Sequence, residues 1–165
     1  MSLRVVIMGV SGTGKTSLGL ALSDRLGIPY LDGDDLHPEA NVAKMAAGIP
    51  LTDGDRWPWL DIVAQTLAVR APVILGCSAL RRAYRDRLRA GAGGRVDFLH
   101  LTGPREVIAA RMQARQGHYM PPALLDSQFA TLEPPGPDEA VALDITLPLA
   151  DLVGIAAAAL QGRDA

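Results

Sequence analysis

Gly9-Val10-Ser11-Gly12-Thr13-Gly14-Lys15-Thr16 satisfies the pattern G-x-x-x-x-G-K-[ST] at every fixed position. Ahead of it, Leu3-Arg4-Val5-Val6-Ile7-Met8 is a short, mostly apolar run that reads as a buried parallel strand. Behind it, Leu18, Ala21, Leu22 and Leu26 recur at helical spacing. A strand, a glycine-rich turn and a helix in this order aim several backbone N–H groups and a helix N-terminus at one anion. The stretch is therefore expected to bind the phosphates of a nucleoside triphosphate. Gly9, Ser11, Gly12, Thr13 and Gly14 would shape the loop, Lys15 would reach the β- and γ-phosphates, and Thr16 would place its hydroxyl on magnesium. Lys15 and Lys44 are the only lysines among 16 basic residues. In a chain that otherwise uses arginine, lysine stands where a compact ammonium suits better than a planar fork.

The 165 residues suggest one domain, 1–165, large enough for a proper core. The net charge of −2 gives no overall basic field to hold nucleic acid. A single cysteine, Cys77, excludes an internal disulfide and suits a reducing cytoplasm. The first strand begins almost at the amino terminus, leaving no room for a cleavable targeting segment, and no apolar run approaches the roughly 18 residues of a membrane span. A cytoplasmic location, with no membrane partner, is the expectation.

Further strands are expected at Ile28 to Leu31, Pro72 to Cys77, Arg95 to Leu101 and Val141 to Leu147. Helices are expected at Glu39 to Gly48, Trp57 to Arg70, Ser78 to Ala90, Pro104 to Gln116, Ala123 to Leu132 and Leu149 to Leu160. Strands alternating with helices predict an α/β fold with a parallel sheet covered on both faces.

The second strand runs into Asp32-Gly33-Asp34-Asp35-Leu36-His37-Pro38. Carboxylates at the end of a strand, one crossover from a phosphate loop, lie where an open α/β sheet builds a ligand site. The side chains of Asp32 and Asp34 alternate, so one can face a metal and the other an acceptor hydroxyl. The third strand does not end in an acid, which turns attention to Asp32 as the metal-associated carboxylate. His37 is a candidate substrate contact. Arg81, Arg85 and Arg89 share a helical face that would by default be solvated. Arg111 and Arg115 lead into Gly117-His118-Tyr119-Met120-Pro121-Pro122, a segment bounded as a mobile lid would be (about 111–133). Phosphoryl transfer needs cations around the moving group, and these two arginines are candidates. Trp57 and Trp59 are expected to pack rather than to stack on a base.

Read together, these stretches resemble the gluconate kinases (gluconokinases) among the P-loop small-molecule kinases. The likeness runs from the first strand to about residue 145. It is carried by MGVSGTGKT, LDGDDLHPEANVAKMAAGIPLTDGDRWPWL, CSALRRAYRDRLR and RMQARQGHYMPPALLDSQFATLEPP. The first is common to P-loop proteins; the second and third are far more specific. The resemblance implies a three-layer P-loop kinase fold with a five-stranded parallel sheet in the order 2-3-1-4-5, helices on both sides and a lid. It also implies phosphorylation of the 6-hydroxyl of D-gluconate by ATP with Mg2+. Asp34 then looks like the residue that orients the acceptor hydroxyl, and Asp32 the one nearer the metal. His37, Arg56, Arg81 and Arg85 look like contacts to a polyhydroxy acid, and Arg115 and His118 match the lid. Arg81 stands where the family commonly has lysine, and Tyr119 where it commonly has phenylalanine, so the carboxylate contact is left open. Similar enzymes are often homodimers. The rival readings are a kinase of the same fold acting on shikimate or another polyol acid, and a nucleotide-dependent switch with no acceptor.

Overall fold

The computed structural model describes residues 2–114 and 122–164. Five strands form one parallel sheet: β1 (Arg4–Met8), β2 (Tyr30–Asp32), β3 (Val73–Gly76), β4 (Asp97–Thr102) and β5 (Ala140–Asp144), in the order β2-β3-β1-β4-β5. Seven helices are described: α1 (Lys15–Leu26), α2 (Glu39–Ala46), α3 (Asp53–Arg70), α4 (Arg82–Gly91), α5 (Arg105–Ala114), α6 (Pro122–Thr131) and α7 (Leu149–Asp164). The expected sheet order and three-layer arrangement are those of the molecule.

The alternation of a pleated strand explains the layering. In β1, Val5 and Ile7 point into one core with Leu18 and Leu22 of α1 and Leu152 and Ala156 of α7. Val6 and Met8 point into the other, with Leu60, Val63 and Leu67 of α3 and Tyr84 and Leu88 of α4. Both faces of the strand are fully buried, which is why it reads as a continuous apolar run. With β3 on one side and β4 on the other, β1 delivers the phosphate loop to the centre of the sheet's carboxyl edge.

Two boundaries differ from expectation for identifiable reasons. The helix expected from Trp57 begins at Asp53, because Thr52 caps it: the Thr52 hydroxyl accepts from Asp55 N–H, and the Asp55 carboxylate accepts from Thr52 N–H. Pro58 is thus inside the helix rather than at its start. The helix expected from Ser78 begins at Arg82; Ala79 takes a left-handed φ of 47° and Arg81 is extended at the N-cap. Arg81 therefore leaves the helical face that it was expected to share with Arg85 and Arg89.

Candidate active site

The phosphate loop closes β1 onto α1. Gly12 and Gly14 have φ of 84° and 97°, a region open to glycine at little cost, and a Cβ on Gly12 would sit 2.5 Å from Met112 Cγ of α5. Gly14 caps α1 without any side-chain hydrogen bond, so the helix start offers its N–H groups to the cleft. Thr13 braces the loop by donating to Val10 O at 2.9 Å. The Lys15 ammonium donates to Gly9 O and Val10 O at 3.0 and 3.1 Å. Burial pushes its pKa down, while Asp34, Cys77 and Asp32 oppose the shift. From α6, Gln128 accepts from Ser11 N–H at 2.7 Å and donates to Ser11 Oγ at 3.0 Å.

One cleft of ≈ 1180 Å³ runs from this loop past Asp32, Asp34, His37 and Arg56, and on its other side past Arg111 and Leu147. Asp32 ends β2, and its carboxylate accepts from Asp34 N–H at 2.9 Å, opening a short 3₁₀ turn (Gly33–Leu36). That turn swings the Asp34 carboxylate out; it is 79% exposed, inside the mouth of the cleft. Partial desolvation, then the neighbouring Asp32 charge, raise its pKa against the pull of Lys15 and His37. A carboxylate raised in this way is better placed to accept a proton. His37 follows the turn and stacks on Trp59, with centroids 4.1 Å apart. Trp59 is buried and donates from Nε1 to Gly33 O at 2.8 Å, so it packs as expected and also holds the turn.

Farther along the cleft is a cationic corner. Arg56 Nη1 donates to Asp53 Oδ1 at 3.4 Å and to the Tyr84 hydroxyl at 3.2 Å, and its guanidinium lies over the Tyr84 ring. Arg81 Nη1 is 3.9 Å from the other Asp53 oxygen. Tyr84 itself donates to Asp53 Oδ1 at 2.5 Å, and this bond, ahead of Arg81 and Arg56, holds the Asp53 carboxyl below its ordinary range. Two guanidinium groups already approach one carboxylate here, and arginine is suited to bind a second.

Arg85 is a correction. Expected as a substrate contact, it is 1% exposed and spends its guanidinium inside the protein. Nε donates to Glu139 at 2.6 Å, Nη1 to Ala79 O and Leu80 O, and Nη2 to Glu133 O and Glu139. A cation so buried must be fully paired, and all three nitrogens are. Arg89 adds a third bond to Glu139 at 2.9 Å. Lys44 belongs to the scaffold as well, bonding Asp55 at 2.7 Å; with the Thr52 bonds this holds Asp55 down at about 2. Arg111 lines the cleft and donates to Ile145 O at 2.5 Å. Arg115 and His118 lie outside the described residues. Asn41, Asp53, Tyr84 and Gln128 join the site without having been singled out. Asn41 lies four residues after His37, a spacing visible in the sequence; nothing local marked Gln128, whose partner is 117 residues away.

A family model described as "AAA domain" matches residues 5–135. The chain is 49% identical to the gluconokinase of Gluconobacter oxydans (strain 621H), over 83% of this chain and 79% of that one. A gluconokinase from Sinorhizobium meliloti 1021 superposes with a TM-score of 0.85 at 50% identity, covering 92% of this chain and 87% of that structure. An unliganded sugar kinase from a Janibacter species gives 0.90 at 47% identity, covering 98% and 95%. Phosphate loop, acidic turn and arginine corner thus occur in a chain that belongs to the gluconokinase family of P-loop kinases.

Proposed function

We propose that this protein transfers the γ-phosphoryl group of ATP to the 6-hydroxyl of D-gluconate. The observation that carries the proposal is a single cleft lined by three kinds of chemistry: the phosphate loop, the Asp34 carboxylate, and Arg56, beside which Arg81 approaches the same Asp53. The uncapped start of α1 and the glycine loop fit a triphosphate. Lys15 turns from the loop carbonyls to the transferring phosphoryl group, and Arg111 lines the nucleotide side of the cleft. Arg115 is a further cation for that group. The Thr16 hydroxyl and Asp32 carboxylate are hard oxygen donors facing the same cleft, and they fit magnesium, which takes one or two protein oxygens beside phosphate and water. When bound there, the ion neutralises phosphate charge.

Asp34 orients the acceptor hydroxyl and takes its proton. The transition state of phosphoryl transfer is loose, so the gain comes chiefly from alignment with the γ-phosphate and less from early deprotonation. Arg56 and Arg81 hold the acid end of the substrate, and His37 contacts it beside Asp34. His118 extends this contact from the lid. Such chemistry belongs to the cytoplasm, where ATP is supplied, and the homodimer common among similar enzymes is the assembly we infer.

A competition among D-gluconate, glucose and shikimate, scored by kcat/KM, tests the reading. Gluconate should be strongly preferred: glucose offers no carboxylate to the arginines, and the rigid ring of shikimate cannot span both ends. Glucose or shikimate matching gluconate would overturn the acceptor assignment.

A further inference from the structure

His37 is held on two sides. One ring face lies on Trp59 at an interplanar angle of 16°, and the side chain is 4% exposed. At one edge, Nδ1 is 3.2 Å from Nδ2 of Asn41, itself buried at the start of α2. The same Asn41 nitrogen is 2.9 Å from Asp55 O. A peptide carbonyl can only accept, so the atom facing it must be the NH2 group of the amide, which removes the usual ambiguity of an asparagine. Its second hydrogen then points at His37 Nδ1, which has to be an acceptor. The single ring proton of neutral His37 therefore sits on Nε2. The carbonyl that sets this chain of bonds is itself fixed, because Asp55 is bound by Thr52 and Lys44.

Nε2–H faces the cleft, 3.9 Å from Asp34 Oδ1. That gap is too long for a hydrogen bond between the two groups and short enough for one oxygen to reach both. We propose that Asn41 is a specificity-determining positioning residue, which fixes His37 as a hydrogen-bond donor so that His37 and Asp34 together select an alcohol hydroxyl. A hydroxyl there accepts from His37 Nε2–H, donates its hydrogen to Asp34, and keeps its second lone pair for phosphorus. A carbonyl oxygen has no hydrogen for Asp34, and an ammonium has no lone pair for His37. The proposal rests on the reading of Asp34 and gluconate given above.

The surroundings keep the ring in this state. Burial comes first in holding His37 below the ordinary imidazole value; Asp34 pulls the other way, and Arg56 from α3 reinforces the burial. A second proton, on Nδ1, would also set donor against donor at Asn41.

The direct test is the 15N NMR signature of the His37 ring in the free protein at neutral pH, read without nucleotide or acceptor. The expected spectrum has a protonated Nε2 and an unprotonated Nδ1; a proton on Nδ1 overturns the proposal whatever the acceptor is. The functional arm uses Asn41→Leu, with folding checked by circular dichroism. Its KM for gluconate should rise about tenfold, with the KM for ATP unchanged. In His37→Gln the amide supplies a donor near the place of Nε2–H without help from residue 41, so adding Asn41→Leu to His37→Gln should cost little more. An unchanged gluconate KM in Asn41→Leu, or a full second penalty in the double variant, overturns the proposal by showing a structural role alone. A wild-type protein that does not phosphorylate gluconate defeats the acceptor reading instead, and the ring spectrum separates that failure from this one.

Discussion

Replacing Arg85 with methionine separates the two roles that its position in the sequence allows. Methionine keeps much of the apolar stem and removes every donor. Three backbone carbonyls, of Ala79, Leu80 and Glu133, then lose their charged partner, and the Glu139 carboxylate loses two of its bonds. Breaking a buried ion pair from one side costs about 3–5 kcal/mol. Arg89 still bonds Glu139 in the variant, which places the expectation at the lower end, about 3 kcal/mol. For a chain of this length that is a fall in Tm of about 6–12 °C, and a large share of the 5–15 kcal/mol that holds a typical domain together. The loss should also depend on pH. Burial pushes the Glu139 carboxyl up, but the bonds from Arg85 and Arg89 outweigh it and leave the group below its ordinary 4.5. A carboxylate depressed by folding contributes stability above its unfolded value and loses it as pH falls through the folded one. The gap between wild type and Arg85→Met should therefore be widest near neutrality and narrow below about pH 4.5. Urea unfolding at several pH values measures the gap, and the gluconate KM, taken well below the Tm, should stay within about twofold of wild type. A variant as stable as wild type with a gluconate KM raised tenfold would refute the reasoning and return Arg85 to the substrate.

Lys15→Ala should abolish transfer in a protein that unfolds at an ordinary temperature, since the ammonium acts most strongly in the transition state; near-normal turnover would contradict its role. Asp34→Asn should lower kcat on the order of 10²-fold with ATP binding, followed calorimetrically, nearly unchanged. If magnesium affinity falls instead and turnover survives, Asp32 and Asp34 have exchanged roles. Burial lowers the pKa of both His37 and His100, aided by Arg56 and Arg85 respectively. The unfolded chain thus takes up protons first as pH falls below 6.5. Stability should be full above that value and decline beneath it, and His100→Asn should flatten the decline in a pH series of melting curves.

Much of this was legible because the signals are local. The apolar runs of β1 and β3, buried on both faces, cannot be mistaken for amphipathic segments, and the glycine loop lies within eight consecutive residues. Where the deciding contact is distant, sequence misleads. Arg81, Arg85 and Arg89 have the spacing of one helical face, yet Glu139, some fifty residues on, draws the middle one into the core, and Ala79 turns the first off the helix. The start of α3 was hidden by Pro58, a more conspicuous marker than the Thr52–Asp55 capping box, since aspartate at the third position is a weaker cue than glutamate. Asp53 and Tyr84 were present in the quoted motifs, but only the fold brings their side chains together.

The order of the strands also divides the enzyme mechanically. The loop that receives ATP stands on β1, which is hydrogen-bonded on both sides and buried on both faces. The wall that receives the acceptor stands on β2, three residues long at the margin of the sheet and paired with β3 alone. Opening a central strand requires something close to global unfolding, whereas a short edge strand can detach at a fraction of that free energy. On the roles proposed above, the donor end is the anvil, and adjustment to the second substrate falls to Asp34 and His37. Amide exchange should run in that order, slowest at Val5 to Ile7 and fastest through the turn that carries Asp34.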